Sequence, residues 1–340
     1  MYWLIAVVLV VFLFVLTEVS LRTSEVNALV PNVGYGSEID EDFERDKSNF
    51  DLLKKKMKLE ARDWNQSKFD FESPTLKFES GWRATTDAPN TAHRRVHIFG
   101  GSTVLCIEVR DSETLTSYLQ RELNVASDSF SVVNRGISGA TVAGGLSTFD
   151  DSEVSSGDVV IVYFGINDAK LNRYCQKPRG AFSLIPGWVS VIGFFRLKLK
   201  IRIAQWIWLE TVHLDKKQQL AVSENRANEL VLLLDSWEIK VRARGGTFIA
   251  ILQPHIWLKK RSEAEVALSR RVVVATPTVL NFQYAAFHKS IGNREYFRTF
   301  ELAFDGVLET TFTDWAHTNK RGNEVIAKRF ALEIKNLVGL

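Results

Sequence analysis

The chain has 340 residues, of which 46% are hydrophobic and 24% are charged, and its formal net charge at pH 7 is +3. This composition is ordinary for a globular protein and excludes wholesale disorder. The small charge and the lack of an RNA- or DNA-binding motif exclude nucleic acid as the expected partner.

The chain opens on an apolar segment, residues 2–16. A membrane-spanning helix needs roughly 20 residues, a length that the segment reaches only if it continues to Leu21 with Glu18 at the interface. We interpret residues 1–22 as an uncleaved membrane anchor. A cleaved signal peptide and a buried core helix are the alternatives. Against the signal peptide, the segment lacks a basic n-region and a small-x-small cleavage site. Few Lys or Arg residues flank the segment, so its orientation is open. Export of the larger part, to the periplasm or another extracytoplasmic space, is the default expectation.

Residues 23–90 are polar and predict a stalk followed by a segment that wraps the next domain. From residue 91 onward, short apolar runs alternate with amphipathic segments, a pattern typical of a parallel sheet covered by helices on both faces. The predicted strands are residues 95–99, 131–134, 159–164 and 247–252.

Three helices are signalled in the C-terminal half. Ser223 is the predicted N-cap of a helix that runs toward Arg244 and stops at a pair of glycines. Thr276 caps another helix, with Pro277 at its first position. Residues 320–337 predict a final amphipathic helix.

Residues 171–222 are predicted to be an insertion. Within it, residues 182–195 are almost uncharged, and basic and apolar residues alternate over 196–203. A two-residue alternation separates the basic and apolar residues onto opposite faces in a strand but scatters them in a helix. The length of the segment favours a helix instead, and the choice stays open. The insertion is either a basic, aromatic surface beside the membrane or the catalytic cleft, or a cap whose aromatic residues form a core. A second membrane span is not expected, because Pro186 and the basic residues interrupt the run.

Two glycine-rich blocks follow predicted strands. Gly100, Gly101 and Ser102 follow the first strand, which places the serine hydroxyl at the carboxyl end of the sheet, where open α/β folds bind ligands. Gly136 and Gly139 follow the second strand and offer backbone N–H groups of the kind that form an oxyanion hole. A helix N-cap and a plain turn are the structural alternatives.

Two further blocks supply a side-chain donor and a base. Asn167 and Asp168 end the third strand, where the asparagine offers an N–H donor, unless it only forms an Asx-turn. Asp314 precedes His317 by three residues, so that its carboxylate can accept the Nδ1–H and leave Nε2 to take a proton from a serine. A surface turn would explain this pair alone. All four blocks together favour a nucleophilic serine with its base.

In this order the blocks resemble those of the SGNH/GDSL hydrolases, over residues 95–340. The resemblance implies a three-layer α/β/α, flavodoxin-like fold with a parallel sheet, here following the N-terminal membrane helix. It implies these site residues: catalytic Ser102, His317 and Asp314, and oxyanion-hole Ser102, Gly139 and Asn167. Asp168 would be structural. Gly101 stands where many members carry aspartate, and neither a metal nor another cofactor is expected.

The resemblance implies a serine esterase. Thr103 after the serine, residues 252–254 (Leu-Gln-Pro) and the anchor make the chain similar to members from bacterial polysaccharide pathways. We therefore expect an enzyme that removes acyl groups, chiefly O-acetyl, from a carbohydrate or cell-envelope glycan. A lipid esterase, an O-acetyltransferase with the same triad and a non-catalytic scaffold are the alternatives. The expected partners are an acylated glycan or lipid and the membrane.

Three further residues are open to interpretation. Cys106 and Cys175 are the two cysteines of the chain. We favour buried free thiols over a disulfide, which would require an oxidising compartment, and two cysteines are too few for a zinc site. His255 follows the last predicted strand and is interpreted as a surface histidine rather than part of the cleft.

Overall fold

The computed structural model describes residues 41–56, 69–89, 92–125, 129–169, 216–269 and 277–339. The chain divides into two compact units, residues 1–44 and 45–340, and the contacts below belong to the second. The predicted anchor and most of the predicted insertion lie outside the described residues. Among the residues that are described, no helix is long and apolar enough to cross a membrane.

The strands are β1 (Phe71–Glu72), β2 (Lys77–Glu79), β3 (Trp82–Arg83), β4 (Arg94–Gly100), β5 (Phe130–Gly136), β6 (Val159–Phe164), β7 (Thr247–Leu252) and β8 (Phe297–Thr299). The helices are α1 (Glu41–Lys56), α2 (Ser102–Leu105), α3 (Leu115–Leu123), α4 (Val142–Thr148), α5 (Ile166–Ala169), α6 (Lys216–Ala243), α7 (Glu263–Ser269), α8 (Pro277–Ile291) and α9 (Lys320–Val338).

A five-stranded parallel sheet has the order β5-β4-β6-β7-β8. Counted in chain order within this sheet, the strands run 2-1-3-4-5, which is the flavodoxin-like arrangement. The order reverses between β4 and β6, and such sheets bind their ligands beyond the carboxyl ends of the strands at this point. The predicted parallel α/β sheet is confirmed.

Helices cover both faces of this sheet. Tyr163 and Phe164 are neighbours on β6 and therefore point to opposite faces. The Tyr163 ring packs edge-on against Phe330 of α9, with centroids 5.3 Å apart, and Phe164 packs against Phe287 of α8 at 5.9 Å. Every residue of β6 is buried, as its unbroken run of apolar residues predicts for a strand covered on both sides.

The four predicted strands are confirmed, with β6 and β7 at their predicted bounds and β4 and β5 slightly longer. Strand β8 and the small antiparallel sheet β1-β2-β3 were not predicted, because strands of two or three residues are too short to show a period.

One helix start was wrong. Ser223 is not an N-cap, because α6 already runs from Lys216 and buries Ser223 in its interior. The residues from Lys216 to Ser223 contain neither proline nor glycine, so the helix can run through this stretch without interruption. The other end is as predicted: α6 stops at Ala243, and Gly245 has a φ of 76°. Thr276 lies outside the described residues, whereas Pro277 opens α8 as predicted.

The small sheet β1-β2-β3 packs against α1. The rings of Phe50 and Phe78 stack with centroids 4.3 Å apart. Asp46 of α1 accepts hydrogen bonds from the backbone N–H and the hydroxyl of Thr75, at 3.1 and 2.7 Å. Burial by itself would raise the pKa of Asp46, but these hydrogen bonds lower it.

Candidate active site

Ser102 opens α2, directly after the strand β4. The turn requires glycines for lack of space rather than for a special backbone angle. A Cβ on Gly100 would lie 2.5 Å from Val104 Cγ2, and a Cβ on Gly101 would lie 2.3 Å from Asn167 Nδ2. A side chain at position 101 would therefore displace Asn167, which gives a physical reason for glycine at this position.

Ser102, His317 and Asp314 form a continuous hydrogen-bonded chain. Ser102 Oγ lies 2.7 Å from His317 Nε2, and His317 Nδ1 lies 2.7 Å from Asp314 Oδ2. A carboxylate can only accept, so Nδ1 carries the proton and Nε2 accepts from the serine hydroxyl. This is the geometry that a general base needs in order to activate a hydroxyl.

The second oxygen of Asp314 fixes the orientation of its carboxylate. Oδ1 accepts from the backbone N–H groups of Ala316 and His317, each at 2.7 Å. Burial by itself would raise the pKa of Asp314, but the hydrogen bonds from His317 and Ala316 bring it below its ordinary value. The group is therefore ionised at neutral pH and can stabilise a protonated imidazole.

A buried ion pair holds the segment that leads into Asp314 and His317. The side chains of Lys259 and Glu265 are 1% and 0% exposed, with Nζ and Oε2 3.1 Å apart. Glu265 Oε1 accepts from the Thr311 N–H at 2.8 Å, and Lys259 Nζ donates to the Glu309 carbonyl at 2.8 Å. Beyond this point, the Thr313 N–H donates to the His317 carbonyl at 2.8 Å.

Asn167 lies beside the turn of Gly100, Gly101 and Ser102 that joins β4 to α2. Its Nδ2 donates to the Ala140 carbonyl at 2.9 Å. The same atom is the nearest neighbour that a Cβ added to Gly101 would meet. Gly139, the residue before Ala140, has a φ of 75° and is exposed. The loop with Gly139, the side chain of Asn167 and Ser102 thus meet at one end of β4 and β6.

Asp168 and Gly136 stabilise the elements that surround this point. Asp168 Oδ1 accepts from the Val142 N–H at 2.9 Å and Oδ2 from the Gly165 N–H at 3.2 Å, so it ties α4 to the end of β6. Burial raises the pKa of Asp168. A Cβ on Gly136 would lie 2.3 Å from the Leu105 backbone nitrogen, so that Gly136 serves the packing of α2.

Glu108 lies at the site and was not predicted from the sequence. Its Oε1 lies 3.8 Å from His317 Nε2, on the same side of the imidazole as the serine hydroxyl. Burial raises the pKa of Glu108, and the nearby His317 partly offsets this rise. No motif places a carboxylate there, so no sequence signal could have found it.

The interpretation of His255 as a surface histidine was wrong, because the residue is fully buried. It follows β7 and lies beside the segment that carries Asp314 and His317, where the next residue, Ile256, donates its N–H to the Trp315 carbonyl at 3.1 Å. Neither ring nitrogen has a hydrogen-bond partner among the described residues, and burial lowers the pKa of His255 to about 4. Nearby, Gln253 Oε1 accepts from the Thr103 hydroxyl at 3.0 Å. This hydrogen bond links the end of β7 to α2, the helix that Ser102 opens.

Cys106 carries a buried free thiol, and Cys175 lies outside the described residues. Burial raises the pKa of Cys106 to about 12, so its thiol is protonated at neutral pH and is a poor nucleophile. Within the described ranges, no cluster of three or more His, Cys, Asp or Glu side chains could hold a metal ion.

No protein-family model and no curated protein matches the chain. Among solved structures, it is similar to LAE5, an α/β hydrolase enzyme from the metagenome of Lake Arreo, with 15% identity, 73% of this chain and 97% of that chain covered, and a TM-score of 0.42. For a lipase/acylhydrolase from Enterococcus faecalis the values are 14%, 72%, 96% and 0.42. For Est24, a carbohydrate acetylesterase from Sinorhizobium meliloti, they are 12%, 72%, 99% and 0.41. Likenesses this remote indicate nothing about the activity of this chain.

Proposed function

We propose that the protein is a serine esterase of the SGNH/GDSL type. The observation that carries the proposal is the pair of 2.7 Å hydrogen bonds that link Ser102 to His317 and His317 to Asp314. A non-catalytic scaffold would have no need to hold these three side chains in this order, with the base oriented by a carboxylate.

The proposed mechanism is acyl transfer in two steps. His317 Nε2 takes the proton of Ser102, whose oxygen attacks the ester carbonyl. The N–H groups of Ser102 and Gly139 and the side-chain amide of Asn167 hold the oxyanion. The intermediate then expels the alcohol, which receives the proton from His317. Water, deprotonated by His317, then attacks the acyl-enzyme. This second intermediate expels the Ser102 oxygen, which takes the proton back from His317, and the acid is released. Asp314 stabilises the imidazolium in both steps.

Replacement of Asn167 by alanine tests the oxyanion hole. The loss of one such donor lowers kcat by roughly 10²- to 10³-fold, because the donor acts on charge that develops in the transition state. We expect this loss in kcat for p-nitrophenyl acetate, with little change in KM. Asn228→Ala, on the surface of α6, is the control. A change in kcat below about threefold would remove Asn167 from the oxyanion hole.

For the substrate, we propose acyl esters, chiefly O-acetyl, on a carbohydrate or cell-envelope glycan. The resemblance of the nucleophile turn and of residues 252–254 to polysaccharide-pathway members supports this proposal. The predicted anchor supports it too, with residues 1–22 in the membrane and the domain from residue 91 on the periplasmic or otherwise extracytoplasmic side. The apolar residues 182–195 favour a lipid esterase as the second candidate.

A series of p-nitrophenyl esters from acetate to decanoate, hydrolysed by the full chain, separates the two candidates. We expect kcat/KM to be highest for acetate and to fall with chain length. A maximum at the long chains would favour the lipid esterase, and no hydrolysis of any ester would contradict both. Added glycan acceptor that diverts the acetyl group from water would identify an O-acetyltransferase with the same triad.

A further inference from the structure

Glu108 is a carboxyl group at the proposed active site that the mechanism does not use. Its Oε1 is 3.8 Å from His317 Nε2, which is beyond hydrogen-bond distance. Its side chain is 20% exposed, so part of it can be reached from solvent. Charged groups within electrostatic reach are His317, Asp314 and Lys47, and a hydrogen bond from the Glu108 backbone N–H also acts on the carboxylate.

The backbone that carries Glu108 is held from outside the parallel sheet. Arg83 of β3 has a fully buried side chain that donates to the carbonyls of Cys106 and Val109, at 2.8 and 2.7 Å. Its Nε also donates to Asp111 at 2.7 Å. Cys106 itself has a φ of 54°, which turns the chain sharply after α2. Glu108 is therefore presented to the site by a fixed loop.

The position of Glu108 costs stability. A carboxylate that loses water without gaining a hydrogen-bonded cation is unfavourable, and the raised pKa of Glu108 has this cause. Titratable groups with such perturbed environments cluster at functional sites. A carboxylate 3.8 Å from His317 Nε2, with part of its side chain exposed, is placed to contact a bound ligand.

The geometry also indicates which part of the ligand Glu108 would contact. His317 Nε2 must deliver its proton to the oxygen of the departing alcohol, so that oxygen lies against Nε2. A carboxylate 3.8 Å from the same nitrogen is close enough to meet the atoms next to that oxygen on the alcohol. A hydroxyl on those atoms would donate to it.

We propose that Glu108 is the specificity residue for the alcohol side of the ester, accepting a hydrogen bond from a hydroxyl next to the ester oxygen. This inference rests on the proposed function and narrows its substrates to esters of polyols, the class to which sugars belong. Glu108 would add little for esters of simple alkanols.

Two acetate esters of similar size test the proposal: glycerol monoacetate, which has neighbouring hydroxyls, and propyl acetate, which has none. For the full chain with Glu108→Ala, we expect kcat/KM to fall about 10- to 100-fold for glycerol monoacetate, the range for a lost hydrogen bond to a charged group. For propyl acetate we expect a change below about threefold. Glu113→Ala, whose carboxylate faces Lys320 at 3.9 Å, should leave both rates unchanged.

An equal loss with both esters, or no loss with either, would overturn the role of Glu108 as an alcohol-side residue. The melting temperature separates a structural role: Glu108→Gln should melt no lower than the wild type, and a lower melting temperature would assign Glu108 to the fold. If the wild type shows no Ser102-dependent hydrolysis of either ester, the proposed function fails and this inference fails with it. Hydrolysis without the difference between esters overturns the inference alone.

Discussion

Replacement of Ser102 by alanine is expected to lower kcat/KM for p-nitrophenyl acetate by about 10⁴- to 10⁶-fold, the loss typical of a removed triad member. Without the hydroxyl, the imidazole of His317 has no nucleophile to activate at 2.7 Å. The residual rate would come from the remaining oxyanion donors. The measurement is the rate of p-nitrophenol release, combined with intact-mass detection of a fluorophosphonate adduct, which should be absent from the variant.

Ser147→Ala is the matched control for this variant. The Ser147 hydroxyl is exposed and donates to the Gly144 carbonyl within α4, at 2.7 Å. We expect wild-type rates and wild-type labelling for it. An unchanged melting curve for Ser102→Ala would show that the loss is chemical. Turnover close to that of the wild type, or labelling at another residue, would remove Ser102 from the mechanism.

Replacement of Lys259 by methionine is expected to lower the free energy of unfolding by about 3–5 kcal/mol. The change leaves the carboxylate of Glu265, which is fully buried, without its cation. Burial by itself would raise the pKa of Glu265, but hydrogen bonds from Thr311, Ser262 and Lys259 lower it. The wild-type contribution is therefore present above the ordinary pKa of a glutamate and lost as the pH falls through the lowered value. Urea unfolding followed by tryptophan fluorescence measures the difference.

Two comparisons isolate the effect of the buried charge. Lys289→Met removes a partner from Glu224 on the surface, where the lysine side chain is 72% exposed, and should cost at most about 1 kcal/mol. Adding Glu265→Gln to Lys259→Met should recover part of the loss, since the amide oxygen still accepts from the Thr311 N–H without carrying a charge. Equal losses for Lys259→Met and Lys289→Met would mean that the buried pair does not hold the segment before Asp314.

The parallel sheet could be predicted because its strands carry their signal locally. A strand covered on both faces must be apolar at every position, and residues 159–164 show this without reference to any other part of the chain. The start of α6 was less predictable. Ser223 has the chemistry of an N-cap, but helix-forming residues before it allow the helix to continue, and α8 packs over that part of α6, where Gln283 donates to the Ser223 carbonyl at 3.1 Å.

The sequence by itself determined the order of the four blocks and the residue types that a serine, its base and its donors require. Each block is a short stretch of neighbouring residues, and three of the four follow a strand. Only the tertiary structure decided that Ser102 meets His317, that Glu108 lies beside them and that Lys259 and Glu265 hold the segment before Asp314. It also decided that His255 is buried. These contacts join segments far apart in the chain, and they depend on how the helices and loops pack around the sheet. A side chain's partners across such distances leave no period or spacing in the sequence from which they could be predicted.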